Sequence, residues 1–293
     1  MTALRQRVAD GVEDDGFLDI FFVIFLYGPT FTIVLLSFQG PEGGLTFPMN
    51  GLSFHWFEKL WEGGGYVDIG SAFRRSILLG IILMILTVVL SVSAGMAFRK
   101  KFFGSNLLFF LTISSLIVPS IILSLGVALE FRLIDETIKF IGNKYDVDWI
   151  INDFQTTLNM FSSGLGAQLT WTLPFGLLIM FAIFNRFDKS FEEASRDLGA
   201  TSWQTFKFIV LPIIAPSIIG IALFGFTLSY DELARSSQVM GATNTLPLEL
   251  KGLTTTVTTP VIYALGTLTT GISFLVIFIA IGSFFIIKRK KVK

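Results

Sequence analysis

The sequence predicts an all-α membrane protein with six transmembrane helices, and three observations carry that expectation. Of 293 residues, 52% are hydrophobic and only 15% are charged, where soluble domains carry about 25% charged residues. Mean hydropathy is +0.71. Six stretches approach the roughly 20 mostly apolar residues that a helix needs to cross the hydrocarbon; they lie at about 17–38, 76–98, 107–129, 165–184, 212–230 and 265–287. Gly28-Pro29 is expected to interrupt the first, Pro119 the third and Pro174 the fourth. Such breaks are tolerated where neighbouring helices re-satisfy the freed backbone groups.

Composition also excludes chemistry. There is no cysteine and a single histidine, His55, so disulfides, thiolate metal sites and multi-His metal sites are ruled out. No metal site and no cofactor are expected. Gly142-Asn143-Lys144 lacks the upstream glycine and the hydroxyl residue of a phosphate loop, so ATP is not bound by that route. A formal net charge of zero gives no case for a nucleic-acid partner. The N-terminal 1–16 segment carries Asp10, Glu13, Asp14 and Asp15 before the first apolar run. That run therefore reads as a retained anchor and not as a cleaved leader.

Orientation follows from lysine and arginine. An even number of spans puts both termini on one side, together with Arg5, Arg7, Arg99, Lys100, Lys101, Arg186, Lys189, Arg196, Lys207 and the basic tail at 288–293. The opposite loops spread Lys59, Arg132, Lys139, Lys144, Arg235 and Lys251 over a longer stretch. The positive-inside bias makes the first side cytoplasmic. Outside lie an aromatic, glycine-rich segment at 39–71, a second segment at 131–164 and a threonine-rich third at 231–264. One membrane domain, 17–287, is the simplest division.

The cytoplasmic loop 185–211 is the most informative stretch. Ser190 is expected to cap a helix, with Glu193 three residues on closing a capping box. Phe191, Ala194 and Leu198 fall on one face at helical spacing. Gly199 is a left-handed stop, and Thr201 with Gln204 restarts a helix that runs to Pro212. A capped helix of about two turns fits a groove on another protein.

Those residues carry a resemblance. Glu193-Ala194-Ser195-Arg196-Asp197-Leu198-Gly199-Ala200, followed by Ile209, Leu211 and Pro212, resembles the EAA loop of ABC importer permeases. Leu116-Ile117-Val118-Pro119 and Thr172-Leu173-Pro174-Phe175 resemble segments of the third and fourth helices of that family. Thr227-Leu228-Ser229-Tyr230-Asp231-Glu232, with Leu246-Pro247-Leu248 after it, is similar to its spermidine/putrescine branch. The resemblance implies a six-span type I (MetI-like) ABC importer permease fold in a bacterial inner membrane. It implies a second permease subunit, by expectation a heterodimer, two ATP-binding subunits and an extracytoplasmic substrate-binding protein. Coupling to the ATPase would fall to Phe191, Glu192, Glu193, Ala194, Leu198 and Gly199. The substrate path would include Trp171, Thr227, Tyr230, Asp231 and Glu232.

Blander readings stand beside these. Asp231 and Glu232 are also compatible with topology or receptor contact at the outer interface, where charge is cheap. Aromatic residues at span ends are commonly belt residues. An ion-driven secondary carrier would require carboxylates inside the spans, which are nearly free of them. A membrane enzyme would require clustered catalytic groups. Within the permease reading, an amino-acid-like solute or a metal ion is the alternative to a polyamine.

Overall fold

The computed structural model describes residues 2–62, 69–256 and 259–290. In chain order the helices are α1 (Thr2–Leu36), α2 (His55–Trp61), α3 (Ile69–Phe98), α4 (Ser105–Ser114), α5 (Ser120–Tyr145) and α6 (Asp148–Asn152). They continue with α7 (Leu165–Asn185), α8 (Ser190–Asp197), α9 (Ser202–Thr205), α10 (Leu211–Tyr230), α11 (Leu246–Thr256) and α12 (Val261–Lys290). Single π turns precede α7, at Met160–Gly164, and α10, at Phe206–Val210. Among the described residues no strand forms beyond one bridge pairing Gln39 with Leu52. The chain is all-α.

Four helices are long and apolar enough to span: Leu18–Leu36, Ile69–Phe98, Met160–Asn185 and Ser202–Tyr230. The third run, expected at 107–129, is divided. α4 stops at Ser114 and α5 starts at Ser120, because Pro119 cannot continue the preceding helix. The sixth lies within α12, whose Val261–Leu275 portion is a shorter apolar helix.

The expected interruptions at Pro29 and Pro174 do not occur; both prolines sit inside continuous helices. At Pro174 the reason is visible. A proline there deprives the Thr170 carbonyl of its helical donor, and the Ser115 hydroxyl donates to that carbonyl at 2.7 Å. Pro212 is accommodated differently. It cannot donate, and the widened π turn before it hands the Phe206 carbonyl to the Leu211 amide.

The chain divides into two compact units, Met1–Val67 with Gly252–Phe274, and Asp68–Lys251 with Leu275–Lys293. In the first, the aromatic segment after α1 is tied by Gln39, whose buried side chain accepts from the Asn50 amide at 2.8 Å and donates to the Gly44 carbonyl at 3.2 Å. Phe38, Phe54 and Phe57 cluster beside it, and Trp56 is buried. Part of this segment, expected outside the membrane, is thus a small packed knot.

The second unit is built on α3, α7 and α10, which pack together. Val92, Met180, Phe184, Val210, Ile214 and Ile221 form a core cluster there. Small residues let the helices approach, as expected where lipid supplies no hydrophobic drive between them. A Cβ at Gly176 would collide with Ser91 Oγ, and Thr87 donates to Thr172 across the α3–α7 contact at 2.8 Å. α5 runs on to Tyr145 and folds back through α6, so the 131–164 segment is largely helical. Asp135, buried there, accepts from the Thr156 hydroxyl at 2.6 Å and the Thr157 amide at 2.7 Å.

Candidate functional site: a surface helix and a buried arginine

The loop between α7 and α10 folds as expected in outline, with one correction at its start. Lys189 is already helical, Ser190 makes no cap, and the side chain of Asp188 accepts from the Ser190 amide at 2.9 Å. The cap therefore sits two residues earlier than Ser190. Glu193 does not reach back to form a capping box; its own amide donates to the Lys189 carbonyl at 3.1 Å. The far end is as read. Gly199 has φ of +83°, its amide donates to the Arg196 carbonyl and the Ala200 amide to the Ser195 carbonyl. These two bonds are the Schellman closure, which needs a left-handed residue at that place. Thr201 and Gln204 form the full capping box that opens α9.

The two faces of α8 do different work. Phe191, Glu193, Ala194 and Leu198 point outward, Phe191 54% and Leu198 89% exposed. The inner face holds the helix in place. Glu192 makes a bidentate pair with Arg99 just beyond α3, at 2.7 and 2.8 Å. The Arg99 guanidinium also lies over the rings of Phe184 and Phe187, at 5.0 and 5.1 Å. Ser195 is buried and its hydroxyl meets that of Thr205 at 2.8 Å, joining α8 to α9. Glu192 thus has its carboxylate engaged within the chain, whereas that of Glu193 has no partner among the described residues.

Arg99 holds the Glu192 carboxyl below the usual carboxylate range; its hydrogen bonds outweigh the opposing effect of partial burial. A depressed folded pKa contributes stability above the unfolded value, about 4.3, which is lost as pH falls through the folded one. Hydrogen bonds of this charged kind are each worth about 1.5–3 kcal/mol. Glu192→Gln is expected to speed hydrogen exchange in α8 near neutral pH. The difference from the unsubstituted chain should vanish in acid, below the carboxylate range. A difference independent of pH would contradict the role of the pair.

The second cluster forms where α10 ends. The segment after Tyr230 leaves helical geometry and is stitched into the unit by side chains. Arg235, expected in an exposed outer loop, is fully buried. Its guanidinium donates to Ser120 Oγ at 3.2 Å, to the Ser115 carbonyl at 3.0 Å and to Thr170 Oγ1. It lies 4.7 Å from the centre of the Trp171 ring. Glu232 accepts from the Arg235 amide at 2.8 Å. Ser124 donates to the Arg235 carbonyl, and Ser163 to that of Val239. Gln168, fully buried, donates to Ser236 at 2.8 Å and accepts from Ser229 at 2.6 Å. Every one of these bonds satisfies irregular backbone or a polar group inside the protein, which is where such backbone is tolerated at membrane depth.

The expected path residues separate. Trp171 is covered by Arg235. Thr227 turns its hydroxyl back to the Leu223 and Phe224 carbonyls of its own helix. Tyr230 is buried against Phe226, with no hydroxyl partner among the described residues. Glu232 serves the turn, and Asp231 is exposed. Only Trp171 and Glu232 are drawn into one constellation, and Arg235 draws them.

The family described as "Binding-protein-dependent transport system inner membrane component" matches residues 87–290, more than half of the chain. The chain belongs to that family. Among curated relatives it is 27% identical over 249 residues to the spermidine/putrescine transport system permease protein PotC of Haemophilus influenzae, covering 83% of this chain and 86% of that one. It is 29% identical over 259 residues to the putrescine transport system permease protein PotI of Escherichia coli K12, covering 87% and 85%. A bacterial ABC transporter involved in the import of the acidic polysaccharide alginate shares its fold, with a TM-score of 0.63 at 16% identity over 94% of this chain and 98% of that one.

For a transport component, three features escaped the sequence reading. Arg99 was read only as a topology-setting charge, Ser195 only as part of the loop motif, and Arg235 as one charge among several outside. The available signal for Arg235 was its type and setting: an arginine three residues after a glutamate, in a serine-rich stretch. Its planar fork, unlike a lysine ammonium, serves several acceptors at once.

Proposed function

We propose that this chain is the membrane-spanning permease subunit of an ATP-driven polyamine importer in a bacterial inner membrane. It pairs with a second, homologous permease and works with ATP-binding subunits and an extracytoplasmic substrate-binding protein. Both termini and α8 face the cytoplasm, the side that the lysine and arginine bias favours. The observation that carries this reading is the division of labour in α8. Its inner face is fixed to Arg99 and Thr205, while Phe191, Ala194 and Leu198 stand in solvent at helical spacing. A rigid helix held to the span ends can pass a partner's closure to the bundle, as alternating access requires.

The polyamine assignment rests on the two curated relatives and on acidic chemistry at the end of α10. Asp231 is the carboxylate placed to meet an organic cation, since Glu232 is occupied in the turn and the Trp171 ring is already taken by Arg235. Fold alone would not choose a cation, because the alginate transporter shares it. The test is ATP hydrolysis by the reconstituted complex with its receptor present. Spermidine or putrescine is expected to raise the rate several-fold, and Asp231→Asn to blunt that rise. Stimulation by an amino acid or a metal ion, with none by polyamines, would overturn the substrate.

A further inference from the structure

We propose that the turn between α3 and α4 holds the headgroup of an anionic phospholipid. A cavity of about 380 Å³ opens there, with Lys100, Lys101, Ser105 and Asn106 at its rim and Phe109 and Phe181 in its floor. No carboxylate lines it. The floor is aromatic and continuous, with Phe109 5.1 Å from Phe181 and 5.7 Å from Phe98. The turn itself ends on Gly104 at φ of +80° and presents Phe102 and Phe103, the latter fully exposed. Beyond the rim, α4 buries none of its residues, and Leu107, Leu108, Phe110 and Leu111 are all more than half exposed.

The chemistry is graded along one direction. Two ammonium groups and two neutral polar side chains stand at the helix end, and an unbroken apolar wall runs from them along α4. A phosphate between Lys100 and Lys101 with acyl chains along that wall satisfies both ends. Basic pockets between helix ends on the cytoplasmic side are suited to such headgroups, and surface lysines there are drawn to an anionic leaflet. Exposed aromatic rings beside such a cluster settle at headgroup level. A soluble protein would match the rim but not the wall. The inference uses the orientation proposed above for its leaflet, while the binding itself depends only on this chain.

The test uses the full chain purified in detergent, incubated with phosphatidylglycerol or phosphatidylcholine and weighed intact by native mass spectrometry. Phosphatidylglycerol is expected to be retained in preference to phosphatidylcholine, with retention falling several-fold in the K100Q/K101Q double variant. A second variant, K290Q/K291Q in the basic tail, should retain it unchanged. Equal retention of both lipids, no loss in K100Q/K101Q, or the same loss in both variants would each overturn the proposal. So would a K100Q/K101Q chain that keeps its phosphatidylglycerol but loses an ATP-binding subunit, which would make the occupant a protein. Failure of polyamine transport would leave these masses unaltered.

Discussion

Arg235→Ala is expected to give a chain that inserts but is markedly destabilised. Removing the side chain leaves the Ser115 carbonyl and two hydroxyls inside the protein without their donor, and strips the Trp171 ring of its cation. Leaving one buried polar group unsatisfied costs about 1–3 kcal/mol, and here three are affected together, so a loss of several kcal/mol is expected. Arg235→Lys should rescue little, because an ammonium cannot span three acceptors set around a planar fork. The check is thermal unfolding of the purified protein in detergent. A pronounced fall in Tm for both variants supports the hub. A lysine variant as stable as the unsubstituted chain would show that charge alone suffices.

The second large effect is expected at the outward face of α8. Phe191→Asp with Leu198→Asp places two carboxylates where the proposed ATP-binding subunit buries apolar surface. The helix should still form, since both side chains already stand in solvent and its fixing contacts are made by Glu192 and Ser195. Co-purification of the ATP-binding subunit should fall at least tenfold, with Tm of the chain alone unchanged. An equal loss of Tm would instead assign these residues to folding.

What the sequence made legible was local. The spans follow from length and apolarity, and Gly199 and Thr201–Gln204 follow from hydrogen bonds closed within a few residues. Even there the start of α8 was ambiguous, because Asp188 and Ser190 both have capping oxygens and only the helical backbone of Lys189 decides between them. Pro174 misled for a similar reason: the Ser115 hydroxyl that relieves it lies far away in the chain. Arg235 was illegible because its burial depends on Ser115, Ser120, Thr170 and Trp171, residues more than sixty positions distant that only packing brings together. The resemblance grouped Asp231, Glu232, Tyr230 and Thr227 as parts of one motif. The end of α10 points them in different directions, so one motif yields four surroundings.

The chain contains no cysteine, so Leu198→Cys creates a single thiol on the face that the account assigns to docking. Its reaction rate with a maleimide, measured for the chain alone and for the complex with the ATP-binding subunit, reports whether that face is covered. Rapid labelling alone and strong protection in the complex are expected, with a thiol at exposed Leu52 labelled equally in both. Equal labelling at 198 in the two states would contradict the docking role.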